Sequence, residues 1–404
     1  MYILKNVHKR GLTMINYLGE AKEHLQQAIQ LRRYFHMHPE PSKNEFQTAA
    51  YIKKYLENLG LTVQSDYGGE LPSVVATITG AKRGKTIALR ADMDALHITE
   101  KNELPYKSLV PGVMHACGHD CHCATLMETA AILVKHRAEL QGNVKLMFEP
   151  AEEDIGGARF MIKNGVLDDV DAVVGLHCEN RFPVGTVYTC PGEMEAASDR
   201  LIIKIVGKSA HGAMPHLGID AMTIACHFIL AVQTMMAREK DAFQSAIITF
   251  GTIQGGTARN IVCDEVLING IIRSLNGETR EFLNQRIKSL LSGITAAFGG
   301  KFELERQKSN PSLYSDPQLT EFFNKAVGEV IGSENVGRLP HAFMGCDSFA
   351  YYAQVKPSVF FFLGTGNKDM KESLHSCHFN IDENSMLTGI TAYIAIVQKY
   401  LDQQ

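Results

Sequence analysis

The sequence predicts an α/β protein: a mixed, largely parallel sheet flanked by helices, with a ferredoxin-like α+β domain inserted into it. Three observations carry this. Apolar runs of strand length alternate with helical patterns through the first half of the chain and again near its end. In the middle the order changes to β-α-β-β-α-β. The 404 residues exceed what one hydrophobic core ordinarily serves, which favours two domains. The expected division is 14–194 with 308–404 for the first domain and 195–307 for the inserted one. Residues 1–13 read as a disordered extension, with translation beginning at either Met1 or Met14.

Apolar residues recur at helical spacing from Tyr17 to Phe35 and from Glu45 to Leu59, where Gly60 stops the second helix. Arg32 and Arg33 read as a solvated helix face, and His36 and His38 as helix-ending residues ahead of Pro39. Leu61 to Ser65, Ser73 to Thr79 and Lys85 to Arg90 are strand-like, and IALR in the last is apolar enough for a buried central position. A helix pattern follows from His119 to about His136, then the buried strands NVKLMFEP and VDAVVGLH with a helix between them. In the inserted segment the expected order is strand Arg200 to Val206, helix Gly218 to Ala237, strands Ala246 to Gln254 and Ile261 to Ser274, helix Glu278 to Phe298 and strand Lys301 to Arg306. After a polar stretch from Lys308 to Pro317, the alternation resumes and includes the apolar strand SVFFFLG.

Apolar residues make up 45% of the chain, charged residues 21%, and the net charge is -4. That balance implies neither nucleic acid nor an anionic membrane as partner. Nine cysteines are too sparse for a disulfide scaffold and odd in number, which fits a reducing, cytoplasmic compartment. No apolar core follows the basic residues of MYILKNVHKRGLT, so no signal peptide is expected. The longest apolar candidate for a membrane span, Ala225 to Met236, carries His227 and Gln233.

The densest chemistry is HACGHDCHC, residues 115–123, at the start of a predicted helix. Cys117 and His119 are close enough in sequence to reach one ion from a turn, and a helix N-terminus favours the thiolate a metal needs. Three more ligand types stand at or just beyond predicted strand ends, where open α/β sheets place their sites. They are the pair Glu152 and Glu153 after KLMFEP, His177 after AVVGL, and His375 in SLHSCHF. Singly, such a pair reads as a solvated helix start and such a histidine as hydrogen-bonded structure; jointly they read as a metal site. A closed structural zinc site would cluster four Cys and His ligands, whereas this set is dispersed and contains carboxylates, as an open, water-bearing site does. Two ions about 3.5 to 4 Å apart fit if Cys117 or a carboxylate bridges them. Cys117 favours zinc, while imidazole and carboxylate also accept manganese, cobalt or nickel.

RADMDALHI, MHACGHDCHCATLM, FEPAEE, GLH, SAHGAMPH with GIDA, GTIQGGTARNIV, FFFLGTGN and LHSCHF occur in this order from about Leu31 to Glu383. The chain thereby resembles the aminoacylase and carboxypeptidase-like metallohydrolases. Within them it looks like the N-acyl-L-amino-acid amidohydrolase branch, which includes hippurate hydrolases and auxin-conjugate hydrolases. The resemblance implies two divalent metal ions per subunit, held by Cys117, His119, Glu153, His177 and His375. It makes Glu152 the general base and Asp94 in RADMDAL an orienting partner of a ligand histidine. The inserted domain becomes a lid and dimerisation domain, with His211 as a donor to the tetrahedral oxygen, from its own or a partner subunit. The implied substrate is a small N-acyl amino acid, with Asn260 and Arg273 as candidates for its carboxylate. A dipeptidase or carboxypeptidase on the same scaffold is the alternative. A metal-binding protein without catalysis would require loss of the water-activating carboxylate, and Glu152 is present. Ser376 and Cys377 replace a proline often found after the last ligand histidine. Asp347 and Ser348 stand where an acidic pair is frequent.

Overall fold

Helices α1 (Tyr17–Met37) and α2 (Phe46–Asn58) open the computed structural model, which describes residues 16–154 and 156–403. The stretch 1–13 lies outside the described residues. Asn16 starts α1 as an N-cap, its side chain accepting the Gly19 N–H at 3.1 Å. There follow β1 (Val63–Gln64), β2 (Val74–Thr79), β3 (Lys82–Asp92), α3 (His119–Lys135), β4 (Gln141–Glu149), α4 (Ala158–Lys163), β5 (Ala172–Pro183) and β6 (Val187–Thr189). Next come β7 (Gly192–Glu195), β8 (Ala197–Val206), α5 (Ala221–Arg238), β9 (Ala246–Gly255), β10 (Glu265–Ser274), α6 (Gly277–Ala297) and β11 (Lys301–Lys308). The chain ends with β12 (Leu313–Ser315), α7 (Pro317–Ile331), β13 (Val336–Arg338), α8 (Phe349–Ala353), β14 (Ser358–Gly366) and α9 (Ser385–Leu401).

The described residues divide into two compact units. One holds the residues up to Pro191, Ser315–Leu339 and those from Tyr352 on; the other holds Gly192–Tyr314 and Pro340–Tyr351. The first is built on an eight-stranded sheet in the order β1-β2-β4-β3-β5-β14-β6-β13. Its centre is parallel, with β3 beside β4 and β5, and β5 beside β14. The β1–β2, β2–β4 and β6–β14 pairs are antiparallel, so the sheet is mixed and mostly parallel, as expected. Central strands read as unbroken apolar runs because helices cover both faces; all nine residues of β14 are buried. Helix α3 is buried nearly all round, packed against α1, α9 and the sheet. At about 1.5–3 kcal/mol for each fully buried large apolar side chain, residues such as Ile132, Leu146, Phe361 and Ile394 make this core rigid enough to fix what projects from its strand ends.

The second unit pairs β11-β8-β10-β9, antiparallel throughout. With the chain order β8-α5-β9-β10-α6-β11, this is the ferredoxin-like arrangement. Ile224, Phe228 and Val232 of α5 and Leu283, Ile287 and Leu291 of α6 pack on the sheet. Helix α5 is apolar enough by composition to cross a membrane, but its apolar face belongs to this core. Strand β10 begins four residues later than the expected Ile261, because Ile261 bridges to His211 and the Val262 N–H donates to the Ala210 carbonyl.

Candidate metal centre

Four strands and one helix of the first unit deliver the predicted cluster. Beyond β3 comes Asp94; beyond β4 come Ala151, Glu152 and Glu153; β5 carries His177. Cys117 and His119 flank Gly118, the N-cap of α3, whose φ of 88° is left-handed. A Cβ on Gly118 would sit 2.9 Å from the Cys178 Cβ, so glycine is required here for both conformation and space. His375, in the loop after β14, is anchored to the same segment by its N–H, which donates to the Ala116 carbonyl at 2.8 Å. Among the described residues, the non-glycine residues with positive φ are Lys43, Ala151 and His375. All three belong to the segments that build the centre, where backbone strain is most often retained.

Seven of the predicted residues come together. Candidate ligand atoms of Cys117, His119 and His177 lie within 4.8 Å of one another, and so do those of Cys117, Glu153 and His375, and those of His119, Glu152 and Glu153. Cys117 belongs to two groups. Its Sγ is 3.4 Å from His177 Nε2, and Glu153 Oε1 is 3.1 Å from His375 Nε2 and 4.0 Å from His119 Nε2.

The rings are oriented for coordination. His119 donates through Nδ1 to the Asp94 carbonyl at 2.9 Å, with Asp94 Oδ1 at 3.2 Å. His177 donates through Nδ1 to the Cys178 carbonyl at 2.8 Å. Each thereby points Nε2 at the shared space. His119 Nε2 is buried there without any hydrogen-bond partner, and such an orphaned group is what a cation would satisfy. Burial opposes charge on His119, yet Asp92, Asp94 and Glu153 outweigh it and push the ring up to about 10. A divalent ion meets that preference for positive charge more fully than a proton. The residues present fit a metal.

Cys117 departs from expectation. Burial, then Glu153 and Glu152, hold its thiol well above its ordinary value, because it precedes α3 and faces two carboxylates. The helix end does not outweigh them; a coordinated cation would, since a ligating thiol is deprotonated outright.

His122 of HACGHDCHC is not a free ligand. It donates through Nδ1 to Asp92 Oδ1 at 2.6 Å and accepts the Cys178 N–H at Nε2 at 2.9 Å. Asp92 is in turn held by Arg90, 2.6 Å away. Arg32 is not on a solvated face: it is fully buried, with Nε 2.8 Å from Asp120 and Nη2 donating to Asn380 at 3.1 Å. Arg33 alone keeps solvent contact, pairing with Glu383 at 2.6 Å. His36 joins the buried set, 2.8 Å from Asp120 and 3.3 Å from Glu100. These residues brace the helix turn bearing His119 and Asp120. Sequence reading missed them because a buried arginine on an amphipathic helix has the same spacing as a solvated one.

Beside Glu153 lies a cavity of about 310 Å³ lined by Ser42, Leu96, His97, Ile98 and Asp154 among others. In the second unit, His211 is exposed, accepts the Ala213 N–H at Nδ1 at 3.1 Å, and neighbours Asn260, whose carbonyl accepts the Gly212 N–H. Arg273 lies apart on β10, opposite Ser198 and Ile247. It is half-buried, with Nη1 buried and unpartnered. Asp347 accepts the Phe349 N–H at 2.6 Å, capping α8.

Residues 88–399 match the model of peptidase family M20/M25/M40. The chain is 40% identical to an N-acetyl-L-cysteine deacetylase of Bacillus subtilis, with 93% of this chain and 88% of the relative covered. It is 37% identical to thermostable carboxypeptidase 1 of Saccharolobus solfataricus, covering 92% and 95%. A crystal structure of a dinuclear metal-binding M20-family peptidase from Bacillus subtilis superposes with a TM-score of 0.81 at 31% identity, covering 95% of this chain and all of that one. The chain therefore belongs to peptidase family M20/M25/M40 and is a metal-dependent hydrolase.

Proposed function

We propose that the protein hydrolyses the amide bond of N-acyl-L-amino acids, releasing a carboxylate and a free amino acid. The observation that carries this reading is the double membership of Cys117, in one ligand group with His119 and His177 and in another with Glu153 and His375. Glu152 stands beside both groups. These residues would hold two divalent ions, zinc first among the candidates and manganese, cobalt or nickel also compatible. When bound, such ions lower the pKa of water towards about 7 and polarise an acyl carbonyl.

Glu152, 8% exposed, takes the water proton and returns it to the leaving nitrogen, which departs badly as an unprotonated amide. Asp94 keeps the His119 ring in the tautomer that leaves Nε2 available, and its Oδ2 accepts the Glu153 N–H at 3.0 Å. His211 supplies a donor to the tetrahedral oxygen, and Asn260 and Arg273 receive the substrate carboxylate. The cavity beside Glu153 takes the acyl group: Leu96 and Ile98 offer it apolar contact, and Glu153 and Asp154 would repel a carboxylate there. The inserted unit serves as lid and dimerisation domain, β9 being an edge strand of its sheet. Nine free cysteines fit a reducing, cytoplasmic setting.

The deacetylase relative supports N-acyl amino acids, and the carboxypeptidase relative supports a second reading, cleavage of a peptide bond at a free C-terminus. Chelated protein reloaded with each metal and assayed on N-acetyl, N-benzoyl and dipeptide substrates separates them. The proposal expects N-acyl amino acids to be turned over best and a free α-amino group to abolish cleavage. Preference for dipeptides would replace it with the second reading.

A further inference from the structure

We infer that Glu45 is a positioning residue for the Glu152–Glu153 pair, holding the left-handed turn at Ala151 from which both carboxylates project. This rests on the roles proposed above for Glu152 and Glu153. Glu45 stands at the N-cap of α2, where an acidic side chain ordinarily accepts the first N–H groups of the helix. It makes no such bond. Glu40 takes that role, accepting the Gln47 N–H at 3.1 Å and the Thr48 N–H at 2.8 Å.

The Glu45 side chain turns inward instead. It is fully buried, and its Oε1 accepts the Ala151 N–H at 2.7 Å. Its Oε2 is buried with no hydrogen-bond partner, a state that natural cores rarely keep without a function. Ala151 has φ 55°, a conformation disfavoured for any residue with a Cβ, which therefore needs an anchor. Two residues later the Glu153 N–H is fixed by Asp94 Oδ2 at 3.0 Å. The acidic pair is thus clamped on both sides, by Glu45 before it and Asp94 after it. Lys43, also left-handed at φ 72°, ties the same two segments through Asp154 at 2.5 Å. Burial, and then the charge of Asp94, push the Glu45 carboxyl up to about 7, so a neutral amide is a close mimic of it.

Glu45→Gln keeps the acceptor for Ala151, whereas Glu45→Leu keeps the bulk and removes it. Cobalt(II) titration of the metal-free variants, read by visible absorption, reports the ligand geometry without reference to turnover. Steady-state kinetics on the best N-acyl amino acid substrate reports the base. Glu45→Leu should bind cobalt at least fivefold more weakly and lower kcat at least tenfold with KM within twofold. Glu45→Gln should stay within threefold of wild type in all three. If the leucine variant does not fold, Glu45→Asp, whose shorter side chain withdraws the acceptor, carries the same expectation. Wild-type cobalt binding and kcat in the acceptor-deficient variant would overturn the inference, and so would a glutamine variant as impaired as the leucine one. If wild type turns over no N-acyl amino acid, the functional reading fails while the cobalt titration still decides the role of Glu45.

Discussion

Replacing Asp94 by alanine should weaken metal binding about 30-fold. Asp94 makes three side-chain contacts: Oδ1 is 3.2 Å from His119 Nδ1, and Oδ2 accepts the Glu153 N–H at 3.0 Å and the Ser42 hydroxyl at 2.5 Å. Partners of this kind typically contribute 10- to 100-fold to metal affinity, or about 1.4–2.7 kcal/mol. The lower limit would apply if Asp94 only oriented His119, because the ring retains the Asp94 main-chain carbonyl at 2.9 Å. The upper limit would apply if both ligands lost their hold entirely. With His119 partly restrained and the Glu153 backbone released, the middle of the range follows, about 2 kcal/mol. Competition with a chromophoric chelator measures it, and circular dichroism checks that the fold persists. Affinity within twofold of wild type in folded Asp94→Ala would refute the bracing role.

Arg32→Leu should destabilise the first unit by about 3–5 kcal/mol, the usual consequence of removing one partner of a buried ion pair, read as a lower urea midpoint. The pH dependence follows from Asp120. Burial opposes its charge, but Arg32 and His36 hold it well below the usual carboxylate range. Its contribution is therefore fully present above an unfolded-state pKa of about 3.9 and is lost as pH falls towards the folded value. Arg32→Leu should show a smaller loss of stability below about pH 4 than wild type does; an unchanged acid limb in urea titrations would contradict this. Ile98→Trp should lower kcat/KM for N-benzoyl substrates by at least ~10-fold relative to N-acetyl ones, as a ring of that size costs about 1–3 kcal/mol in a filled pocket. Equal effects on both would remove the cavity beside Glu153 as the acyl site.

The elements, and the residues that gather as the candidate ligand cluster, were legible because each leaves a local pattern. IALR, NVKLMFEP and SVFFFLG are buried inner strands of the mixed sheet whose apolar runs are visible without partners, and metal-ligand residue types at their ends are chemically conspicuous. What escaped was the support between distant segments. Arg32 meets Glu383 at 3.3 Å across 351 residues, and His36 meets Asp120 across 84. Nothing local separates a buried guanidinium from a solvated one. The surroundings of the Cys117 thiol were hidden for a related reason: the helix start is written in sequence, but burial and then Glu153 and Glu152, which oppose the free thiolate, come only with the fold. Glu45 marked only the start of the second helical pattern, since its partner Ala151 lies 106 residues away.

The most direct measurement is metal content together with turnover in Glu152→Gln. If Glu152 is the base and Cys117, His119, Glu153, His177 and His375 hold two ions, the variant should retain two metals per subunit and lose at least ~100-fold in kcat on N-acyl amino acids. Turnover within tenfold of wild type, or loss of metal on this substitution, would contradict the account.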